Sequence, residues 1–145
     1  MPRQRGILLD MWVFLPDAHL SIVQSDAESR VLQVRARFRG DIERVFPEAD
    51  VAEDETSDYR FCASLARDRV AHALFNKVSH LHYASLVEEV PIEEDVRREA
   101  YTAVWARLAE EQARLYNDET DLLPVSAVRI ELEPAERKRI DLETL

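Results

Sequence analysis

Residues 58–83 (DYRFCASLARDRVAHALFNKVSHLHY) change hydrophobic period part-way along, and the rest of the chain has to be arranged around that change. Tyr59, Phe61, Ala63 and Leu65 alternate with Asp58, Arg60, Cys62 and Ser64. A repeat of two sends successive side chains to opposite sides of a strand, so the first set predicts a buried face and the second a polar one. From Arg67 and Asp68 onward the spacing becomes helical. Ala71, Leu74, Phe75, Val78 and Leu81 predict a helix whose stripe, Leu74 and Phe75 included, belongs to the core.

Upstream, two short β-prone runs, 11–15 and 20–24, flank Pro16, Asp17, Ala18 and His19, a combination that suits a hairpin loop. A second turn at 25–29 leads to the cleanest strand, 30–38. Leu32, Val34, Ala36 and Phe38 face one way there, and Gln33, Arg35, Arg37 and Arg39 the other. Gly40 breaks the strand, and Asp41 opens a short helix as its cap or first-turn acid. Ile42, Val45 and Phe46 form the apolar side of that helix, and Pro47 ends it. Residues 48–58 read as an acidic, solvated connector with at most a brief edge strand.

Beyond the break at Glu88-Glu89-Val90-Pro91, a long helix is predicted over 92–117. Val96, Ala100, Val104 and Leu108 form its stripe, widened by Tyr101, Trp105 and Leu115. Glu93, Glu94 and Asp95 sit in its first turn, where acids complement the helix dipole. Trp12 and Trp105 are expected as core anchors; exposure of either would mark an interface. The chain therefore divides into an N-terminal extension (1–10), an α+β domain (11–117) and a C-terminal tail (118–145). In the tail, Val128, Ile130 and Leu132 alternate with Arg129 and Glu131, predicting a strand and then a short charged helix. That segment either packs on the core or serves as a partner-binding arm. The order β-β-β-α-β-α-α gives an α+β fold, an antiparallel sheet with helices packed on one face. A ferredoxin-like variant is one topology it allows.

Four segments carry a likeness: MWVFLPDAHLSIV (11–23), VLQVRARFRGDIERVFP (31–47), DYRFCASLARDRVAHAL (58–74) and YTAVWARL (101–108). In their Met-Trp start, Ser-Ile-Val strand, Arg-Ala-Arg strand leading to Phe-Pro, Asp-Tyr-Arg and Val-Trp pair, they resemble a family of small uncharacterised bacterial proteins. The resemblance implies Met11 as the ancestral start and one compact domain. It implies no reaction, cofactor or catalytic residue. The chain departs from the pattern at Leu15-Pro16-Asp17, where members carry a polar turn with Asn or Gly, and at HYASL (82–86). The tail beyond Tyr116 lies outside it.

Charge narrows the function classes. With 29 acids against 19 bases the chain carries a net charge of -10. Such a chain is repelled by nucleic-acid backbones and anionic membranes unless its bases gather on one face. Only two glycines are present, which disfavours phosphate-cradling loops. Cys62 is the sole cysteine, so there is no intrachain disulfide and no thiolate metal cluster. No run approaches the roughly 20 apolar residues of a membrane span. These features together predict a cytoplasmic protein without a membrane partner.

The candidate binding residues are Arg35 and Arg37, on the polar face of one strand, and Arg60, on the polar face of another; they form one patch if the two strands are neighbours. Arginine forks suit carboxylate or phosphate; the plainer account is a set of cross-strand ion pairs. An RNA-binding sheet also wants aromatics among its bases, and Tyr59 and Phe61 are expected in the core instead. His80 and His82 would lie about 200° apart on a helix and His72 two turns away, so no metal site is assigned. Cys62 beside an arginine has the makings of a lowered pKa, but no histidine base is placed with it. No catalytic residue and no cofactor are therefore assigned. The acidic blocks 48–58 and 88–95 could imitate nucleic acid; solvated loops are the simpler account. The reading that remains is a non-enzymatic protein-interaction or regulatory module, binding a protein partner or itself. The alternatives are a nucleic-acid or anion binder using the arginine face, and a small enzyme involving Cys62, Tyr59 or His82.

Overall fold

The structure, a computed structural model, describes residues 10–117, so the strand and helix expected in 118–145 lie outside the described residues. The chain divides between His82 and Tyr83 into two compact units. The fold is α+β, as the element order predicts, with a five-stranded antiparallel sheet in the first unit.

In that unit β1 (Met11–Leu15) and β2 (Ala18–Gln24) pair with Leu15 opposite Ala18, leaving only Pro16 and Asp17 in the turn. β3 (Val31–Ala36) pairs with β2. α1 (Asp41–Val45) follows, then the two-residue strand β4 (Ala52–Glu53). β5 (Phe61–Ala66) lies between β3 and β4 and runs directly into α2 (Arg67–Ser79). The strand order β1-β2-β3-β5-β4 is largely a meander, not the interleaved order of a ferredoxin-like fold. The first three strands are joined by short antiparallel turns, which leave no room for a helical crossover between them.

Register decides which residues meet. Ile22, Val34 and Ala63 stand side by side on one face of the sheet. Ile42, Val45 and Phe46, together with Val70 and Ala73 of α2, close the core over that face. The apolar side predicted for α1 is thus the side it buries. Gly40, at φ +89°, starts this helix in a left-handed conformation that favours glycine. Asp41 occupies the first turn rather than the cap. One carboxylate oxygen accepts from the His19 backbone N–H at 2.8 Å, and the other from Arg44 at 2.9 Å. The same Arg44 nitrogen donates to the Asp17 carbonyl at 2.9 Å, so α1 is bolted to the β1–β2 turn.

Two expectations around β5 are corrected. The strand begins at Phe61, and Tyr59 lies in the bend before it. Tyr59 is buried, but on the polar side of the sheet rather than in the core cluster. The helix is also turned relative to its predicted stripe. α2 buries Val70 and Ala73 and half-buries Leu74, whereas Phe75, Val78 and Leu81 are exposed. An apolar stripe fixes a helix face only when no neighbouring side can fill the space above the sheet, and here the Val70–Ala73 side does so.

The second unit holds α3 (Leu86–Glu89) and α4 (Asp95–Tyr116). Ser85 caps α3 by accepting from the Glu88 N–H. α4 buries Arg97, Tyr101 and Ala106. The Arg97 guanidinium pairs with Glu94 at 2.7 Å and donates to the Tyr101 hydroxyl at 3.3 Å. Val96, Trp105 and Leu108, expected inside, are exposed. Among the described residues no helix is long and apolar enough to cross a membrane.

Candidate functional site

The polar face of the sheet gathers the chemistry-bearing side chains of the first unit. Cross-strand partners share a face, so Trp12, Ser21, Arg35 and Cys62 form one row. Asp10, immediately before β1, reaches over this row. One oxygen of its carboxylate accepts from Ser21 Oγ at 2.5 Å, Trp12 Nε1 at 2.8 Å, Tyr59 Oη at 3.1 Å and Arg35 at 3.2 Å. Arg35 also donates to Ser21 Oγ at 2.7 Å, which makes the serine a relay between cation and anion. The side chains of Asp10 and Arg35 are 15% and 16% exposed. The Ser21 hydroxyl above all, helped by Trp12 and Tyr59 against the opposing effect of burial, holds the Asp10 carboxyl down at about 2.

This cluster is built to hold together rather than to react. A carboxylate so strongly stabilised is a weak base near neutral pH. Ser21 is fully buried, so its hydroxyl cannot meet a substrate. Arg35 and Arg37 lie over the Tyr59 ring, their guanidinium carbons 4.4 Å and 3.9 Å from its centroid. The ring is therefore covered by cations and is not offered to a base.

The three predicted arginines are not brought to one patch. Arg35 and Arg37 converge on Tyr59, with Arg37 also 3.4 Å from Asp58. Arg60 turns to the β4 edge, where it pairs with Glu53 and Glu55, each at 2.8 Å. Arg39 shares Glu53 at 2.8 Å. Hydrogen bonds from Arg60 and Arg39 hold the Glu53 carboxyl below its ordinary range, and Glu53 in turn raises Arg60. Each predicted arginine is thus already matched by an acid.

Cys62 donates to Gln33 Oε1 at 3.1 Å. Burial pushes its thiol pKa up, and the nearby Arg35 offsets this only in part. The thiolate that nucleophilic chemistry needs is disfavoured. His80 and His82 both follow the end of α2 and bond to backbone carbonyls of Asn76 and His80. Among the described residues no cluster of His, Cys, Asp or Glu is arranged to hold a metal ion.

Sequence reasoning missed Asp10, assigned to the extension, and Ser21, whose short polar side chain gave no signal. What it misplaced, the side of α2, proves to be a surface. Phe75 and Val78, one turn apart on one side of the helix, are more than half exposed, and so is Leu81, two residues past its end. Residues 67–82 carry Arg67, Arg69 and Lys77 against Asp68 alone, together with three of the chain's four histidines. This is a net +2 stretch on a chain of net charge -10. No protein-family model matches the chain, and no curated protein or solved structure does so either.

Proposed function

We propose that this chain is a non-enzymatic protein-interaction module and that α2 carries its recognition surface. The observation that supports the reading is the exposed apolar pair Phe75 and Val78, with Leu81 just past the helix end, on the one helix of net positive charge among the described residues of an acidic chain. Contiguous apolar side chains on a surface mark an interaction site more often than scattered ones do. The occupant that fits is an acidic amphipathic segment of another protein. Its apolar residues would cover Phe75 and Val78, and its carboxylates would meet Lys77, since Arg69 of the same helix is already paired with Glu48. A phosphate or nucleic-acid ligand is less well served. It would have to displace a carboxylate from each of Arg35, Arg37 and Arg60. The lone cysteine is consistent with a cytoplasmic setting for this activity.

Lys77 makes the proposal testable, because Lys77 and Lys138 are the chain's only lysines. A carbodiimide joins an amine directly to a carboxylate in contact with it. Treating the chain in a host extract and mapping the products by mass spectrometry should join Lys77 to Asp or Glu within an apolar-acidic segment of one partner. The Phe75→Asp/Val78→Asp variant should lose that product while an Arg37→Glu control keeps it. Crosslinks that survive the α2 variant, or that map to no acidic amphipathic segment, would sink the reading.

A further inference from the structure

The C-terminal half of α4 is inside out. At 100° per residue, Trp105, Leu108, Gln112, Leu115 and Tyr116 share an arc of about 100°. The four apolar members are between 54% and 81% exposed. On roughly the opposite side lie Arg107, Glu110 and Arg114. Yet Ala106 is buried and the Glu110 side chain is only 14% exposed. The helix therefore leaves an indole, a phenol and two leucines in water, while Glu110 pairs with Arg107 and Arg114 of its own helix.

We infer that this stripe is the interface of a homodimer, in which α4 of one copy packs antiparallel against α4 of a second. Three observations single out a second copy. First, the segment is electrically neutral: Arg107 and Arg114 balance Glu110 and Glu111, and they pair with them along their own helix. A chain of net charge -10 can meet its own copy at a surface that carries none of that excess. Second, the stripe complements itself. Turning the helix end for end sets Trp105 against Leu115 of the second copy and Leu108 against its Gln112, as an isologous two-fold contact requires. Third, the area suffices. Weighted by exposure, the four apolar side chains leave roughly 500 Å² uncovered per copy, at the large end of monomer patches. Two copies reach about 1,000 Å², the lower bound for a specific interface. The proposal uses a different helix from α2 and stands or falls apart from it.

Sedimentation equilibrium of the full chain tests it. The mass should rise with concentration from 16.8 kDa toward twice that value. Trp105→Glu/Leu115→Glu should raise the dimer dissociation constant by about 30-fold or more while leaving the circular dichroism unchanged. A Phe75→Asp/Val78→Asp chain should dimerise as the native one does. The proposal is overturned if the native chain stays monomeric at about 500 µM, well above the micromolar range of small interfaces. It is equally overturned if the α4 pair leaves dimerisation intact. A third overturning result would place residues 118–145 on the stripe within one chain: amide protection of 105–116 independent of concentration and lost in Val128→Glu/Ile130→Glu.

Discussion

Asp10 shows how much one side chain can organise. Four donors from β1, β2, β3 and the bend before β5 meet on a single carboxylate oxygen, so one residue fastens four stretches of chain. Replacing it with asparagine removes the charge facing Arg35 and leaves the four donors a neutral amide oxygen, a weaker acceptor than the carboxylate. We expect Asp10→Asn to cost about 1–3 kcal/mol by urea unfolding, the range for a charged hydrogen-bonded group that is not fully buried. A cost under about 0.5 kcal/mol would show the cluster to be peripheral. The pH dependence follows from the same shift. The folded-state pKa of Asp10 lies below its ordinary 3.8, at about 2. Its contribution is therefore complete above the unfolded value and is lost as pH falls through the folded one. About 2 kcal/mol should disappear between roughly pH 4 and pH 2. That acid limb should be missing in Asp10→Asn.

At the scale of the element, α2 separates what a helical pattern says from what a helix does. The stripe through Ala71, Phe75 and Val78 correctly announces a helix, but the buried side is centred roughly 140° away, on Val70 and Ala73. Thermal and denaturant unfolding should show the difference. Val70→Ala removes two buried methyl groups beneath the helix and should cost about 2 kcal/mol. Phe75→Ala, a larger truncation at an exposed position, should stay within about 0.5 kcal/mol. A Phe75→Ala cost as large as that of Val70→Ala would mean that the exposed side is packed in solution. α4 repeats the lesson in the second unit: Val96 and Leu108 belong to its predicted stripe, and both are exposed.

At the scale of the whole molecule, the excess of ten negative charges and the pairing of the arginines act together. The bases on the sheet face are matched by neighbouring acids, and the exposed pairs made by Arg37 and Arg60 contribute little stability. The expected outcome with nucleic acid is negative. A fluorescent single-stranded RNA should show no anisotropy change at protein concentrations up to about 100 µM in physiological salt. Salt-sensitive binding that disappears in Arg35→Glu/Arg37→Glu would reinstate the arginine face as a ligand site.

What could be read from the residues was whatever depends on local period and local chemistry. The alternation through Leu32, Val34 and Ala36, the stop at Gly40, the apolar side of α1 and the strand-to-helix change at Arg67 all survive in the structure. These are legible because a strand repeats every two residues and a helix every 3.6, whatever surrounds them. The partnership of Asp10 with Ser21, Arg35 and Tyr59 could not be read, because it joins residues 11, 25 and 49 positions apart. Only strand register brings them together. Nor could the sequence say which side of α2 or α4 is covered. Both sides hold apolar residues, and the choice rests on the space that other elements leave. The sequence by itself determined the α+β class, most of the larger elements and the acidic net charge, but not α3, which lies where a break was expected. The tertiary structure alone decided which charges meet and which apolar faces stay open, because pairing and burial are set by distances through space and not along the chain.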